Sequence, residues 1–153
     1  MTHPDIKALE ELFGPVISRY GEYQRAVDEG RLFMPADAPT SDNIAREAGF
    51  VVPVYVSKMV NDLATPPRSN KTQSWEGRMW DVLWMAFVRI KLNKKPIDRL
   101  LYKLRSGRSN EILAIHSGPG DDMELVIAIT HRSETLHGIL YPEQDNAPEG
   151  GAK

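Results

Sequence analysis

The chain has 153 residues and a formal net charge of −2, and 41% of its residues are hydrophobic. A chain of this length buries roughly 68–70% of the surface that it exposes when unfolded, which predicts one globular domain. The sequence contains no cysteine, so disulfides, thiolate zinc sites and cysteine nucleophiles are excluded. We expect residues 1–143 to form the domain and residues 144–153 to form a disordered tail.

The N-terminus lacks the basic and apolar regions of a secretory signal peptide. No apolar run approaches the roughly 20 residues that a membrane-spanning helix needs. Both observations predict a cytoplasmic protein.

Charge is unevenly spread along the chain. Residues 1–50 carry a net charge of −4, residues 89–108 a net charge of +7, and residues 109–153 a net charge of −6. The total charge therefore hides a strongly basic segment, which we call the basic band (residues 89–108).

The first half of the chain predicts short helices and strands. Hydrophobic spacing and turn residues favour helices over 4–13, 23–29, 41–49 and 57–64, and strands over 15–20 and 32–34. Ser41 or Asp42 is expected to cap the third of these helices, and Ser57 the fourth. The stretch 51–56 is extended, but Pro53 lacks an N–H and restricts the stretch to a sheet edge or a loop.

All three tryptophans lie in one short segment, which predicts a helix over 76–92. At 100° per residue its apolar residues fill a wide arc, typical of a helix buried on more than one side. Trp80 and Trp84 are expected in the core. Trp75 follows the polar loop 65–74, and it either packs in the core or forms an exposed anchor for a partner.

The last third changes to the period of two that is typical of strands. Strands are predicted over 100–105, 112–116, 125–130 and 136–141, with turns between them. Sequential strands with short connections form an antiparallel meander, here of three to four strands. The predicted fold class is α+β, with the tryptophan helix packed on the sheet.

The basic band holds the main candidates for binding. Lys103 and Arg105 alternate along the predicted strand 100–105, and Lys94, Lys95 and Arg99 precede it. Together they could form a positive stripe that holds phosphates. In the other interpretation, these charges pair with acidic residues of the neighbouring strand or of the helical half.

Motifs for chemistry are weak. His116, Asp121 and His131 lie on adjacent predicted strands and turns, but their spacing matches no metal-binding motif. No serine stands in the strand-to-helix context of a nucleophile elbow. The sequence therefore assigns no catalytic residue, no metal ligand and no cofactor.

The run from Gly77 to Ala86 (Gly-Arg-Met-Trp-Asp-Val-Leu-Trp-Met-Ala) resembles a block in a family of small uncharacterised proteins encoded mostly on bacterial plasmids and phage-like elements. Phe13-Gly14, the segment 25–32, the run 47–50 and the turn 118–122 follow the family's order. After Asp122 the chain departs from the pattern. The family is a domain of unknown function, so the resemblance implies a genomic context and no site.

Three hypotheses follow. The first is a nonenzymatic accessory protein of a plasmid or phage that binds a host or element-encoded protein, in counter-defence or regulation. Its candidate contacts are Trp75, Lys94, Lys95, Arg99, Lys103 and Arg105. The second is a nucleic-acid-binding module that uses the basic band. The third is a small metal-dependent enzyme that uses His116, Asp121 and His131. The oligomeric state stays open.

Overall fold

The computed structural model describes residues 21–37, 43–67, 74–93, 99–106 and 109–142. Its helices are α1 (Glu22–Asp28), α2 (Ile44–Glu47), α3 (Lys58–Ala64), α4 (Trp75–Leu92) and α5 (Leu136–Leu140), with a 3-10 helix at Pro35–Asp37. Its strands are β1 (Leu32–Phe33), β2 (Val54–Ser57), β3 (Arg99–Ser106), β4 (Ser109–Pro119) and β5 (Leu125–His131). The α+β prediction is confirmed. The elements predicted over 4–20 and the tail predicted over 144–153 lie outside the described residues.

The strands form one mixed sheet in the order β1-β2-β5-β4-β3. Strands β3, β4 and β5 are the predicted antiparallel meander, and β2 lies parallel to β5 on the other side. Among the described strands, β3 and β1 therefore form the two edges.

The predicted fourth strand of the meander is wrong. Residues 136–140 form helix α5, and Thr135 caps it by accepting the Gly138 N–H at 3.0 Å. Leu136, Ile139 and Leu140 pack together against one core cluster. Their spacing of three and four residues matches a helical face, which outweighs the β propensity of the segment.

The edge position predicted from Pro53 is also wrong. Strand β2 begins one residue after this proline and lies inside the sheet, between β1 and β5. The Pro53 carbonyl accepts the Ile127 N–H at 3.0 Å. A proline just before a strand lacks a donor but still offers an acceptor, so it can join the ladder of an interior strand.

Both faces of the sheet are covered around β5. Ile127 and Ile129 belong to a large core cluster with α3 and α4, whereas Val126 and Ala128 belong to a second cluster with α1. Successive strand residues point to opposite faces, so β5 is buried on both sides. Burial on both faces agrees with the nearly continuous apolar sequence of residues 125–130.

Helix starts follow the local capping residues. The Ser57 hydroxyl accepts the Val60 N–H at 3.2 Å, which confirms the predicted cap of α3. Helix α2 is capped by Asn43, whose side chain accepts the Arg46 N–H at 3.0 Å. This corrects the expectation of Ser41 or Asp42, which lie outside the described residues.

Helix α4 buries Met79, Val82, Leu83 and Ala86 completely. It is tied to the sheet by the buried Tyr102, whose hydroxyl donates to the Val82 carbonyl at 2.9 Å. The core position expected for Trp84 is wrong, because this side chain is 45% exposed, and Trp80 is only half-buried. In the part of the chain that the structure describes, no helix has both the length and the apolar character needed to cross a membrane.

Candidate functional site

Three aromatic side chains form a stacked row along the outer flank of α4. The rings of Trp80 and Trp84 are 6.0 Å apart between centroids with 4° between their planes. Trp84 and Phe87 are also 6.0 Å apart, at 23°. Lys91 continues the line, with its Nζ 5.4 Å from the centroid of Phe87. We call Trp80, Trp84 and Phe87 the aromatic row.

Helical geometry places these residues together. Positions 80, 84, 87 and 91 follow one another at intervals of four and three residues, so their side chains lie along one strip of the helix. The buried residues of α4 occupy a neighbouring strip that faces the sheet. The row therefore lies at the border between core and solvent.

One end of the row is fixed by the segment after α2. Phe50 contacts Phe87 edge-on, with 5.7 Å between centroids and 77° between planes. Gly49 has a φ of +117°, and a Cβ atom at this position would lie 2.7 Å from two carbons of the Phe87 ring. Phe87 is thus held in place from behind, whereas Trp84 projects into solvent.

An open pocket of about 320 Å³ adjoins this end. Phe50 belongs to its wall and also contacts Phe87, so the pocket and the row share one side chain. Val51, on the same wall, is 92% exposed. The described lining is otherwise formed by Met34, Ala36, Asn43, Ala45, Arg46, Val52, Pro53 and Val54.

Trp75 does not belong to the row. It is half-buried, packs against the large core cluster and donates its indole N–H to the Asn61 side chain at 2.8 Å. Trp80 is five positions after Trp75 in the helix. At 3.6 residues per turn, this step places the two side chains about 140° apart around the helix axis. The first of the predicted partner contacts is therefore a packing residue with a satisfied polar group.

The basic band is described in two places, the end of helix α4 and strand β3. Arg99, Lys103 and Arg105 occupy alternate positions of this edge strand, and Arg99 and Lys103 are exposed. Alternation places the side chains of Arg99 and Lys103 on one face of the sheet. Lys94 and Lys95 lie outside the described residues, as does the side chain of Arg105.

Internal neutralisation of the basic band is not seen in the residues that the structure describes. The ion pairs found there join Arg31 with Glu29, Lys58 with Asp62 and His131 with Glu111. Two arginines of the band donate to carbonyls instead: Arg89 Nε to Leu101 at 3.0 Å, and Arg99 to Arg132 at 3.4 Å.

The three residues of the metal hypothesis are engaged separately. His116 Nε2 is 2.9 Å from the Thr130 hydroxyl, and burial, with a smaller contribution from Arg99, lowers the pKa of this histidine. Asp121 accepts the N–H groups of Tyr23 and Gln24 at 2.9 Å each, at the start of α1. Within the described ranges, no group of three histidine or acidic side chains could hold a metal ion.

His131 instead lies between two residues that the sequence did not indicate. Its Nε2 is 2.9 Å from Glu111 Oε1, and its Nδ1 is 2.7 Å from the Ser133 hydroxyl. The pairing of Leu113 with His131 makes Glu111 and His131 diagonal neighbours. The sequence could not indicate the contact between Glu111 and His131, because this contact depends on the register of β4 and β5.

Comparison of the chain with protein-family models, with curated proteins and with solved structures gave no match.

Proposed function

We propose that this protein acts by binding a protein partner through the aromatic row. The observation that carries the proposal is the exposure of Trp84 at the centre of a stacked series of aromatic rings. Tryptophan is enriched among the residues that contribute most to protein interfaces. Because the neighbouring rings already hold Trp84, little conformational freedom remains to be lost when a partner covers it.

Charge indicates the chemistry of the partner. Lys91 continues the row, and no carboxylate pairs with it among the described residues. In the sequence, the row leads into the basic band, with its net charge of +7. The partner surface that fits is therefore an apolar segment with acidic residues at one end, because complementary potentials favour encounter and fix orientation.

The biological task that we propose is that of an accessory protein of a plasmid or phage, in counter-defence or regulation, with a cytoplasmic location. The support for this context is the resemblance of the run from Gly77 to Ala86 to proteins of such elements. The charge segmentation of the chain agrees with a protein that works by recognition.

A displayed library of random 20-residue peptides tests the binding proposal without a named partner. Peptides are selected on the wild-type chain and counter-selected on Trp84→Ala. We expect enriched sequences with apolar residues at helical spacing followed by Asp or Glu, and at least tenfold weaker binding to Trp84→Ala. Met123→Ala is the matched control, because Met123 is 64% exposed and lies in the turn before β5. Enriched peptides that bind Trp84→Ala and the wild type equally contradict the proposal.

Nucleic-acid binding is a second candidate, favoured by the alternate basic residues of β3. Arg99 and Lys103 are exposed, and no described carboxylate neutralises them. We expect Lys103→Glu with Arg105→Glu to weaken binding of a labelled oligonucleotide, and the wild-type affinity to fall steeply with salt. Fluorescence anisotropy at low ionic strength measures both effects. Absence of binding at low salt excludes nucleic-acid binding and does not affect the proposal that the aromatic row binds a protein partner.

A further inference from the structure

A hydrogen-bonded series of three side chains lies where β5 ends. Glu111 belongs to β4, His131 is the last residue of β5, and Ser133 lies in the turn that leads to α5. The two contacts of the imidazole measure 2.9 Å to Glu111 and 2.7 Å to Ser133. Hydrogen bonds thus connect a hydroxyl to a base, and the base to an acid that orients it. This arrangement is the geometric signature of an activated nucleophile.

The position of the imidazole proton follows from a third contact. The backbone N–H of Ser133 donates to His131 Nδ1 at 3.1 Å. An N–H group can only donate, so Nδ1 carries a lone pair and the ring proton is on Nε2. That proton is directed at the Glu111 carboxylate. The lone pair of Nδ1 therefore faces Ser133, whose backbone N–H and hydroxyl both lie within hydrogen-bond distance of it.

The hydroxyl of Ser133 has two acceptors within reach. Nδ1 of His131 is 2.7 Å from Oγ, whereas the sulfur of Met59 is 3.8 Å away. A thioether sulfur is a weak acceptor and an imidazole nitrogen is a strong one. The Oγ–H bond is therefore directed at the histidine in the resting arrangement.

The turn that carries this series is held by Glu134. Its carboxylate accepts the His131 N–H at 2.9 Å and the hydroxyl of the buried Ser57 at 2.6 Å. Its own N–H donates to the His131 carbonyl at 2.9 Å. The side chains of His131 and Glu111 are 21% and 29% exposed, whereas Ser133 is exposed. A fixed, partly shielded base thus faces a hydroxyl that solutes can reach.

We propose that Ser133 is a nucleophile activated by His131 and Glu111, and that it accepts acyl groups from activated esters. Oγ forms a bond to the carbonyl carbon while its proton moves to Nδ1, which releases the hydrogen bond from the Ser133 backbone N–H, and Glu111 stabilises the resulting imidazolium through Nε2–H. The bond to the leaving oxygen then breaks, and that oxygen takes the proton from Nδ1. Water hydrolyses acyl-Ser133 by the same proton path, which releases the acid and restores the hydroxyl.

The experiment uses an activated fluorophosphonate, whose fluoride is displaced by a nucleophilic serine. Intact-mass measurement and peptide mapping follow labelling of the full chain over time. We expect one adduct, on Ser133, with a rate at least tenfold lower in His131→Gln and Glu111→Gln. The exposed Ser117 is the matched reference serine within the same molecule. Labelling of Ser133 no faster than Ser117, or rates unchanged in both variants, overturns the proposal.

A second measurement covers the case in which His131→Gln disturbs the fold. The chain has no cysteine, so Ser133→Cys introduces its sole thiol. A neighbouring base that lowers the thiol pKa by one unit raises the thiolate fraction at pH 7 about tenfold. Because the nucleophilicity of a thiolate falls as its pKa falls, alkylation by iodoacetamide should be about threefold faster in Ser133→Cys than in Ser117→Cys. Equal rates in these two variants count against the proposal independently of the histidine substitution.

Discussion

Gly49→Ala is the substitution that most directly tests the packing behind the aromatic row. Two costs combine at this position. The backbone has a φ of +117°, which lies beyond the left-handed helical region and costs an L residue about 1–3 kcal/mol. The new Cβ would also lie 2.7 Å from the Phe87 ring, and overpacking of this kind costs about 1–3 kcal/mol. Alanine also lowers the conformational entropy of the unfolded chain, which stabilises the folded state by about 0.4–1 kcal/mol. We therefore expect a net loss of about 1–6 kcal/mol in the free energy of unfolding.

Gly30→Ala is the matched control for this prediction. Gly30 also has a positive φ, +77°, but a Cβ atom there would meet nothing within 4 Å. Its expected cost is the backbone strain alone, so urea unfolding should show Gly49→Ala to be clearly the less stable variant. The slope of unfolding free energy against urea should stay the same, because neither change alters the surface exposed on unfolding.

A double-mutant cycle isolates the contribution of the ring. Phe87→Ala removes the atoms that the new Cβ would meet, so Gly49→Ala should cost about 1–3 kcal/mol less in that background than in the wild type. If the cost of Gly49→Ala is the same in both backgrounds, Phe87 does not pack on Gly49. In that case, the segment after α2 does not hold Phe87 in place.

Three further predictions concern the opposite side of the sheet. The lowered pKa of His116 means that the unfolded chain binds its proton first, so stability falls as the pH drops below about 6.5. His116→Gln should reduce that loss between pH 7 and pH 5 in urea titrations. Burial raises the pKa of Tyr23 to about 12, so the unfolded chain loses the proton first above pH 10 and stability falls as pH rises. Tyr23→Phe should flatten this alkaline loss, which unfolding at pH 9 and pH 11 measures. Asp121 accepts two N–H groups at the start of α1, and Asp121→Ala should cost about 1–2 kcal/mol in thermal unfolding, whereas the exposed Asp122→Ala should cost little.

Local signals in the sequence predicted most of the elements. Ser57 at the start of α3, the change from helical period to strand period after α4, and the turn before β5 all correspond to observed features. These signals depend on neighbouring residues, which is why they can be interpreted without a structure. The strand predicted over 136–141 was wrong because a five-residue helix and a short strand can have the same apolar composition. The prediction was based on the β propensity of these residues, whereas the helical spacing of the apolar residues matches the structure.

Sheet order and contacts across the sheet could not be predicted in this way. Strand β2 pairs in parallel with β5 although about 70 residues separate them in the chain. The placement of Glu111 beside His131 depends on the β4–β5 register, and a shift of one residue would direct the two side chains to opposite faces. No property of the local sequence fixes that register, so a site formed across strands becomes visible only in the fold.

The tryptophan helix shows why a wide apolar arc does not measure burial. A helix that packs on one sheet buries a strip of its surface, and in α4 that strip is filled by medium-sized residues such as Met79 and Leu83. The larger aromatic rings lie outside it, where Phe50 covers Phe87 but not Trp84. Core packing therefore explains why the helix is apolar, but it does not explain why the exposed flank is aromatic. Exposed rings of this size favour association, which costs solubility unless a partner covers them. Trp84, which folding leaves 45% exposed, is for this reason the residue on which the proposed binding of a partner most depends.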